Sequence, residues 1–336
     1  MTRLTQAIKN LTRLTSLSTR VLADTPFLAT AFVQRPPSYT IPAFFFSGGN
    51  GYFGGGNDTG NISGIDKIEF LADTKTTLSA TLTSARRELA AMANSGTAGY
   101  FGGGNDGGNL NGIDKITFSA DTKTTLSATL TSGRYGPAGM ANRAVAGYLG
   151  GGNDGGNLSG IDKITFPADT KTTLSATLTA GRSSLAGMAD SSVAGYFGGG
   201  NQAAYVSGID KITFPADTKT TLSATLTTAR EYLAGMADSG VAGYFGGGNG
   251  ATNRDDIDKI TFPADTKTTL SALLTAATTE LAAMAKNGTA GYFGGGTTGS
   301  KLSRIDKITF PADTKTTLSA TLTSARTQLA GMADSG

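Results

Sequence analysis

The string Gly-Tyr-Phe-Gly-Gly-Gly, or a close variant, begins at Gly51, Gly99, Gly147, Gly195, Gly243 and Gly291, each 48 residues after the last. Ile-Asp-Lys-Ile-Thr-Phe runs on the same period, from Ile65, Ile113, Ile161, Ile209, Ile257 and Ile305, with Glu69 as its one departure. Ala-Asp-Thr-Lys-Thr-Thr-Leu-Ser-Ala-Thr-Leu-Thr comes third, with few changes, and Leu-Ala-Gly/Ala-Met-Ala closes the unit, as at Leu185 to Ala189. The length of 336 residues alone suggests two domains, but a repeat extends a single core well past that expectation.

Inside each unit the pattern is that of strands. Ile116 and Phe118 alternate with Thr117, and Leu126, Ala128 and Leu130 alternate with Ser127 and Thr129. Clusters of Gly, Asn, Asp and Pro interrupt them and supply turn geometry at low steric cost. Phe166-Pro167-Ala168-Asp169-Thr170 reads as a tight turn, with Asp169 placed for a local Asx-type bond. No unit holds a helical pattern. Each therefore contains four short antiparallel strands: a (Leu-Ala-Gly-Met-Ala), b (Ala-Gly-Tyr-Phe-Gly-Gly-Gly), c (Ile-Asp-Lys-Ile-Thr-Phe) and d (Thr-Thr-Leu-Ser-Ala-Thr-Leu).

Six such units imply an all-β, six-bladed β-propeller. A solenoid competes, but it needs end units with polar outer faces, and the end units here resemble the middle ones. The phase of the repeat supports closure. The chain ends on a further strand a, Leu329 to Ala333, with no strand b after it, and the first complete unit starts at strand b. Returning that last strand to the first blade removes an open edge; the alternative is that Ile41 to Phe46 supplies the missing strand. The propeller domain is expected to span residues 41–336.

An aromatic strand ending in Gly-Gly (Tyr100, Phe101, Gly102, Gly103), an aromatic followed by an Asp turn (Phe118, Asp121) and a later arginine (Arg134) resemble the kelch repeat. The usual kelch tryptophan is missing, and Leu126 sits near its place. In detail the Gly-Tyr-Phe-Gly-Gly-Gly phrase is similar to kelch-like propellers of tailed bacteriophage and cyanophage virions. That resemblance implies a virion structural protein, a tail fibre or tail-associated component.

Residues 1–40 differ from the repeats. Up to Pro37 they carry Arg3, Lys9, Arg13, Arg20 and Arg35 against Asp24 alone. Leu4, Ile8, Leu11, Leu14, Leu17, Val21 and Leu22 recur at spacings of mostly three and four, which predicts a basic amphipathic helix. Asp24-Thr25-Pro26 should end it, and residues 34–42, with three prolines, read as an extended linker. Arg13 and Arg20 interrupt any secretory apolar core. The helix fits an anchor on another virion protein through Leu4, Ile8, Leu11, Leu14, Arg13 and Arg20. Organelle targeting, membrane-surface binding and homo-oligomer formation through an apolar seam are the other uses such a helix has.

The chain has no cysteine, histidine or tryptophan. Disulfides, a thiolate nucleophile and a histidine base are thereby excluded, and zinc or copper would lose its commonest ligands. No apolar run is long enough for a membrane span. A formal net charge of +3 gives no footprint for nucleic acid. The Gly-Gly-Gly-Asn-Asp-Gly-Gly-Asn loops resemble calcium repeats only loosely and lack their nine-residue stacking. They also lack the lysine and helix of a phosphate cradle. Neither an Asp-box nor an isolated arginine triad points to a sialidase. No cofactor, metal site or enzymatic role is expected. Asp66, Asp114, Asp162, Asp210, Asp258 and Asp306 recur in every unit, as do Arg86, Arg134, Arg182, Arg230 and Arg326, except that the fifth unit has Thr278. Groups present in every blade are expected to join blades.

Three b–c loops are alike, but the other three diverge: Gln202 to Val206, Gly250 to Asp256 and Thr297 to Lys301. The d–a connections also vary: Arg87-Glu88, Tyr135-Gly136-Pro137, Ser183-Ser184, Glu231-Tyr232, Thr279-Glu280 and Thr327-Gln328. In an up-and-down blade both loop sets fall on one face, opposite the side on which an N-terminal arm enters strand b. Tyr135, Tyr205, Glu231, Tyr232, Asn253, Arg254, Asp255 and Lys301 are therefore the expected recognition residues, for a host-surface glycan or protein. A bracing protein of tail, neck or capsid, and an intracellular kelch-type adaptor with a targeting segment, are the alternative functions.

Overall fold

Glycine breaks and Asp turns cut the apolar–polar alternation into 24 short strands within residues 49–334, the part of the chain that the computed structural model describes. They form six four-stranded antiparallel sheets, each in the order a-b-c-d. The second blade is representative: Ala90–Asn94, Ala98–Gly102, Ile113–Thr117 and Thr122–Thr125. Strands a of all six blades surround the axis, and the Thr-Lys-Thr-Thr strands d form the exposed rim. The fold is a six-bladed β-propeller. The amphipathic helix, its linker, the anchoring residues Leu4, Ile8, Leu11, Leu14, Arg13 and Arg20, and the domain start at residue 41 lie outside the described residues.

Closure uses the C-terminal strand. Ala330–Ala333 pairs antiparallel with Asn50–Gly54, setting Tyr52 opposite Met332 and Phe53 opposite Gly331. Asp334 fastens the end, receiving the Asn50 backbone N–H at 2.6 Å and its side-chain amide at 3.0 Å.

The core is divided into six clusters, each shared by two neighbouring blades. Tyr52 and Ile65 of the first blade pack with Phe101, Ile116 and Phe118 of the second, for example. The glycines of strand b make this possible. A Cβ on Gly54 would lie 2.5 Å from the Phe101 ring, and one on Gly51 would lie 2.1 Å from the Met284 sulfur. Each blade thus receives an aromatic ring from one neighbour (Leu149 in the case of the second blade) and a methionine from the other, which close packing of the interior requires.

Two expectations need correction. Strand d ends at Thr125, so Leu126 to Leu130 is not a strand. In that segment the backbone N–H groups of Leu126, Leu130 and Arg134 bond Ile113, Asn111 and Leu110, one bond in four residues, while the chain crosses to the next blade. Leu130 is buried there all the same. Asp169 does end a tight turn, at φ 55°, with its N–H bonded to the Thr165 carbonyl, but its carboxylate serves the preceding blade. It accepts the Tyr100 hydroxyl at 2.7 Å and the Lys115 ammonium at 2.6 Å from the preceding blade. Tyr100 also stacks on Phe166, with centroids 5.0 Å apart, and Lys115 lies over the Tyr100 ring. The same set recurs at all six blade junctions.

The repeated Asp and Arg residues join blades, as expected. Asp114, buried in strand c, accepts the Thr83 N–H (2.9 Å), the Thr83 and Thr125 hydroxyls (2.6 and 2.9 Å) and Arg86 Nη2 (3.0 Å). Thr83 and Arg86 belong to the segment arriving from the first blade. Burial alone would raise the equivalent carboxyl of Asp162, but the bonds from Thr131 and the charge of Arg134 outweigh it and hold the pKa below the ordinary range.

Candidate recognition face and channel mouth

Backbone bonds stitch the two variable loop sets together. Asn57 and Thr327 exchange N–H···O bonds of 2.9 and 3.0 Å, and Asn105 and Arg87 exchange bonds of 2.9 and 3.1 Å. The b–c loops and d–a connections thus share one face. The glycines after strand b permit the contact: Gly56 has φ +106°, and a Cβ there would meet the Thr327 carbonyl at 2.7 Å. On the other face, Phe118 N–H bonds the Thr97 carbonyl and brings the c–d turn against the a–b turn.

Variation alone does not single out one face. The a–b turns differ too, reading Ser95-Gly96, Arg143-Ala144, Ser191-Ser192, Ser239-Gly240 and Asn287-Gly288. What sets the b–c/d–a face apart is its tyrosines, carboxylates and amides gathered around the axis.

The predicted site residues divide into four groups there. Tyr205, Asn253 and Lys301 occupy one repeat position, that of Asn61, Asn109 and Asn157, which reaches the next blade's loop. Tyr205 is 40% exposed, and its hydroxyl donates to Asn249 Oδ1 at 3.0 Å. Lys301 donates to Asn57 Oδ1 and to the Asp58 carbonyl, while Asn253 accepts from the Asn249 amide at 2.7 Å. Arg254 is tied inward: its Nε lies 2.6 Å from Asp256 Oδ1, and the other oxygen of Asp256 holds Arg230 Nη1 at 2.6 Å. It supports a buried arginine and is not a free contact residue. Asp255, half-buried, accepts the Leu274 N–H through its backbone carbonyl. Tyr135 and Glu231 are half-buried, in backbone exchange with Asn153 and Asn249. Tyr232 stands apart from these, at the axis.

Tyr232 belongs to a ring that sequence reasoning did not assemble. Glu88, Gly136, Ser184, Tyr232, Glu280 and Gln328 each precede the first residue leading into strand a, and each has φ between 53° and 62°. Their backbones close a circle. Gly136 N–H bonds the Glu88 carbonyl, Ser184 bonds Gly136, Tyr232 bonds Ser184, Glu280 bonds Tyr232, Gln328 bonds Glu280 and Glu88 bonds Gln328, all at 2.8–3.0 Å. The signal for this ring was available in sequence, because a residue just before the innermost strand must border the axis.

The ring frames the mouth of the central channel, a cavity of about 80 Å³ with a floor of Leu89, Pro137, Leu185, Leu233, Leu281 and Leu329. Gln328 Nε2 spans its two carboxylates, at 2.9 Å from Glu88 Oε1 and 3.2 Å from Glu280 Oε1. Glu88 Oε2 is buried and has no hydrogen-bond partner. Burial raises both carboxyls; nearby Arg87 opposes this, and the two glutamates reinforce it through mutual repulsion at Glu88. Burial, and then the charge of Glu88, push the Tyr232 phenol up to about 12. The opposite mouth is apolar, with a ring of methionines such as Met92, Met188 and Met284 around a cavity of about 150 Å³.

Among the described residues no group of three or more His, Cys, Asp or Glu side chains could hold a metal ion, and no helix is long and apolar enough to cross a membrane. No protein-family model matches the chain, and no curated protein matches it.

Proposed function

We propose that the protein is a non-enzymatic recognition module whose b–c/d–a face binds a glycan or protein of a cell surface. One observation carries this reading. The residues repeated in all six blades are engaged in joining blades, whereas the side chains at the channel mouth differ from blade to blade and line one shared concavity. A scaffold that fixes its backbone in a sixfold ring and varies the side chains around a cavity has the form of a binding site. Exposed Tyr205 and half-buried Tyr135 flank it with amphipathic surface suited to partner contact.

A binding role is favoured over a tyrosine-nucleophile hydrolase because the Tyr232 phenol is shifted up, the wrong direction for activation. The virion setting, with a tail or surface appendage as location and an N-terminal arm on a neighbouring virion protein, rests on the kelch-like phage resemblance of the repeat.

The full-length chain should bind cell envelopes of its host. Tyr135→Ala with Tyr205→Ala should weaken that binding at least tenfold, and Arg143→Ala on the opposite face should leave it unchanged. The reverse pattern would assign recognition to the a–b face. Antibody labelling of purified particles tests the virion setting separately.

A further inference from the structure

We propose that the channel mouth is a binding site for a primary ammonium group, carried by an amino sugar with a free amine. The proposal rests on the recognition reading and names its ligand class. The mouth has more acceptors than free donors, and the cation beside it is Arg87, whose Nε lies 3.7 Å from Glu88 Oε1. All six ring N–H groups are engaged in the backbone circle, both hydrogens of the Gln328 amide go to the two glutamates, and the Ser184 hydroxyl serves the Tyr232 phenol, whose own O–H is the ring's remaining side-chain donor. Glu88 Oε2 is left over: its side chain is only 11% exposed, and that oxygen has no partner. A buried acceptor without a donor is costly, and a carboxylate more so.

A ligand that complements this arrangement brings several donors and a positive charge in a small volume. An ammonium offers three donors on one atom. A guanidinium is planar and larger, a carboxylate or phosphate would face Glu88, Glu280 and neighbouring Glu231, and a divalent cation needs six or more oxygens that the mouth does not assemble. The leucine floor keeps the charge at the level of the glutamates, so the rest of the ligand lies outside on the face. A polar and aromatic track leads outward from there: Tyr232, then Glu231, then Asn249 in backbone exchange with it, then the exposed Tyr205 ring bonded to Asn249 Oδ1. Hydroxyl-bearing pyranose rings suit such a track, with the tyrosine offering an apolar face and the amide its hydrogen bonds.

The test is a titration of the full-length protein, by calorimetry and amide chemical shifts, with glucosamine, N-acetylglucosamine and n-butylammonium. Glucosamine should shift the Gly136 and Tyr232 amides and bind about tenfold or more tighter than N-acetylglucosamine, whose nitrogen carries no charge. Glu88→Gln with Glu280→Gln, which keeps the shape but removes the charge and exchanges one acceptor oxygen of each carboxylate for an NH2 donor, should remove that preference. Equal binding of both sugars, no binding of glucosamine, or an undiminished preference in the double variant would overturn the site. Binding of n-butylammonium as tight as glucosamine would overturn the sugar as its carrier. Envelope binding that persists while glucosamine fails would leave the recognition face standing without this site. Glucosamine binding without envelope binding would have the opposite meaning.

Discussion

Asp114 and its equivalents in the other blades sit in nearly the same cage of two threonines and an arginine, so backbone and side chain are both held constant at the blade junctions. At the channel mouth the backbone is equally constant, six residues with φ between 53° and 62° in a closed circle, yet the side chains are Glu, Gly, Ser, Tyr, Glu and Gln. The difference shows where a duplicated unit is free to change. A buried carboxylate tolerates a changed partner only where another cation takes its place, because either one left alone is a desolvated charge. A main-chain hydrogen bond is indifferent to the side chain beside it. The ring can therefore diversify without loosening the disc.

The harshest way to break this comparison is to remove the strand that makes the ring a ring. Deleting residues 329–336 takes away buried Leu329 and Met332 and the ladder to Asn50–Gly54. Roughly 5–10 kcal/mol should be lost from two apolar side chains and several backbone bonds, and the exposed strand b should drive association. Thermal melting and sedimentation check both effects. A truncated protein as stable and monomeric as its parent would mean that the blades do not depend on closure.

The sixth blade offers a gentler test, because the cage is built differently there. Thr278 stands where the others have arginine, and Arg304 replaces a residue that is glycine in the first four blades. Its Nε lies 3.5 Å from Asp306, and its Nη2 donates to the Thr278 hydroxyl at 3.2 Å, so the cation comes from the carboxylate's own blade and not from the preceding one. The Arg86 and Asp114 side chains are 3% and 1% exposed, whereas that of Arg304 is 22% exposed. Arg86→Ala should cost about 3–5 kcal/mol, as for a broken buried pair, and Arg304→Ala about 1–2 kcal/mol, closer to a partly solvated one. Denaturant unfolding of the two variants compares them directly. Equal losses would show that burial does not set the value of the cage.

Most of the propeller was legible from period and phase alone. The 48-residue repeat determines the number of blades, and a final strand a without a following strand b marks the closing partner. Strand d was misplaced because Leu126, Ala128 and Leu130 keep a two-residue alternation while the chain leaves the sheet; burial of Leu130 explains the leucine without requiring a ladder. The Arg304 exchange went unseen, since it spans two repeat positions 26 residues apart that meet only in space. Lys301 reads as a free contact residue because nothing in one sequence reveals a partner on another loop, and Arg254 because its neighbour Asp256 does not show in sequence that it also holds buried Arg230. The mouth is half legible: Tyr232 stands out as an aromatic, while Glu88, Glu280 and Gln328 read only as variable positions.

The smallest effect concerns the glutamates of that mouth, and its sign separates a binding site from a structural cage. Asp162 is held below the ordinary carboxylate range by its partners, whereas burial raises Glu88 and Glu280 above it. An acid raised in the folded state retains its proton there after the unfolded chain has released it. The folded protein should therefore lose stability as pH rises from the unfolded carboxylate pKa, about 4.3, to the higher folded value, and change no further beyond. Glu88→Gln with Glu280→Gln abolishes that slope. The variant should melt above its parent at pH 7, by less than either loss above, and level with it near pH 4, whereas Asp162→Asn should melt well below its parent at pH 7. A glutamine pair that destabilises most at pH 7 would show the two carboxylates ionised and held by Arg87 and Lys301. The mouth would then be a cage like those between the blades, with no acceptor left for a ligand.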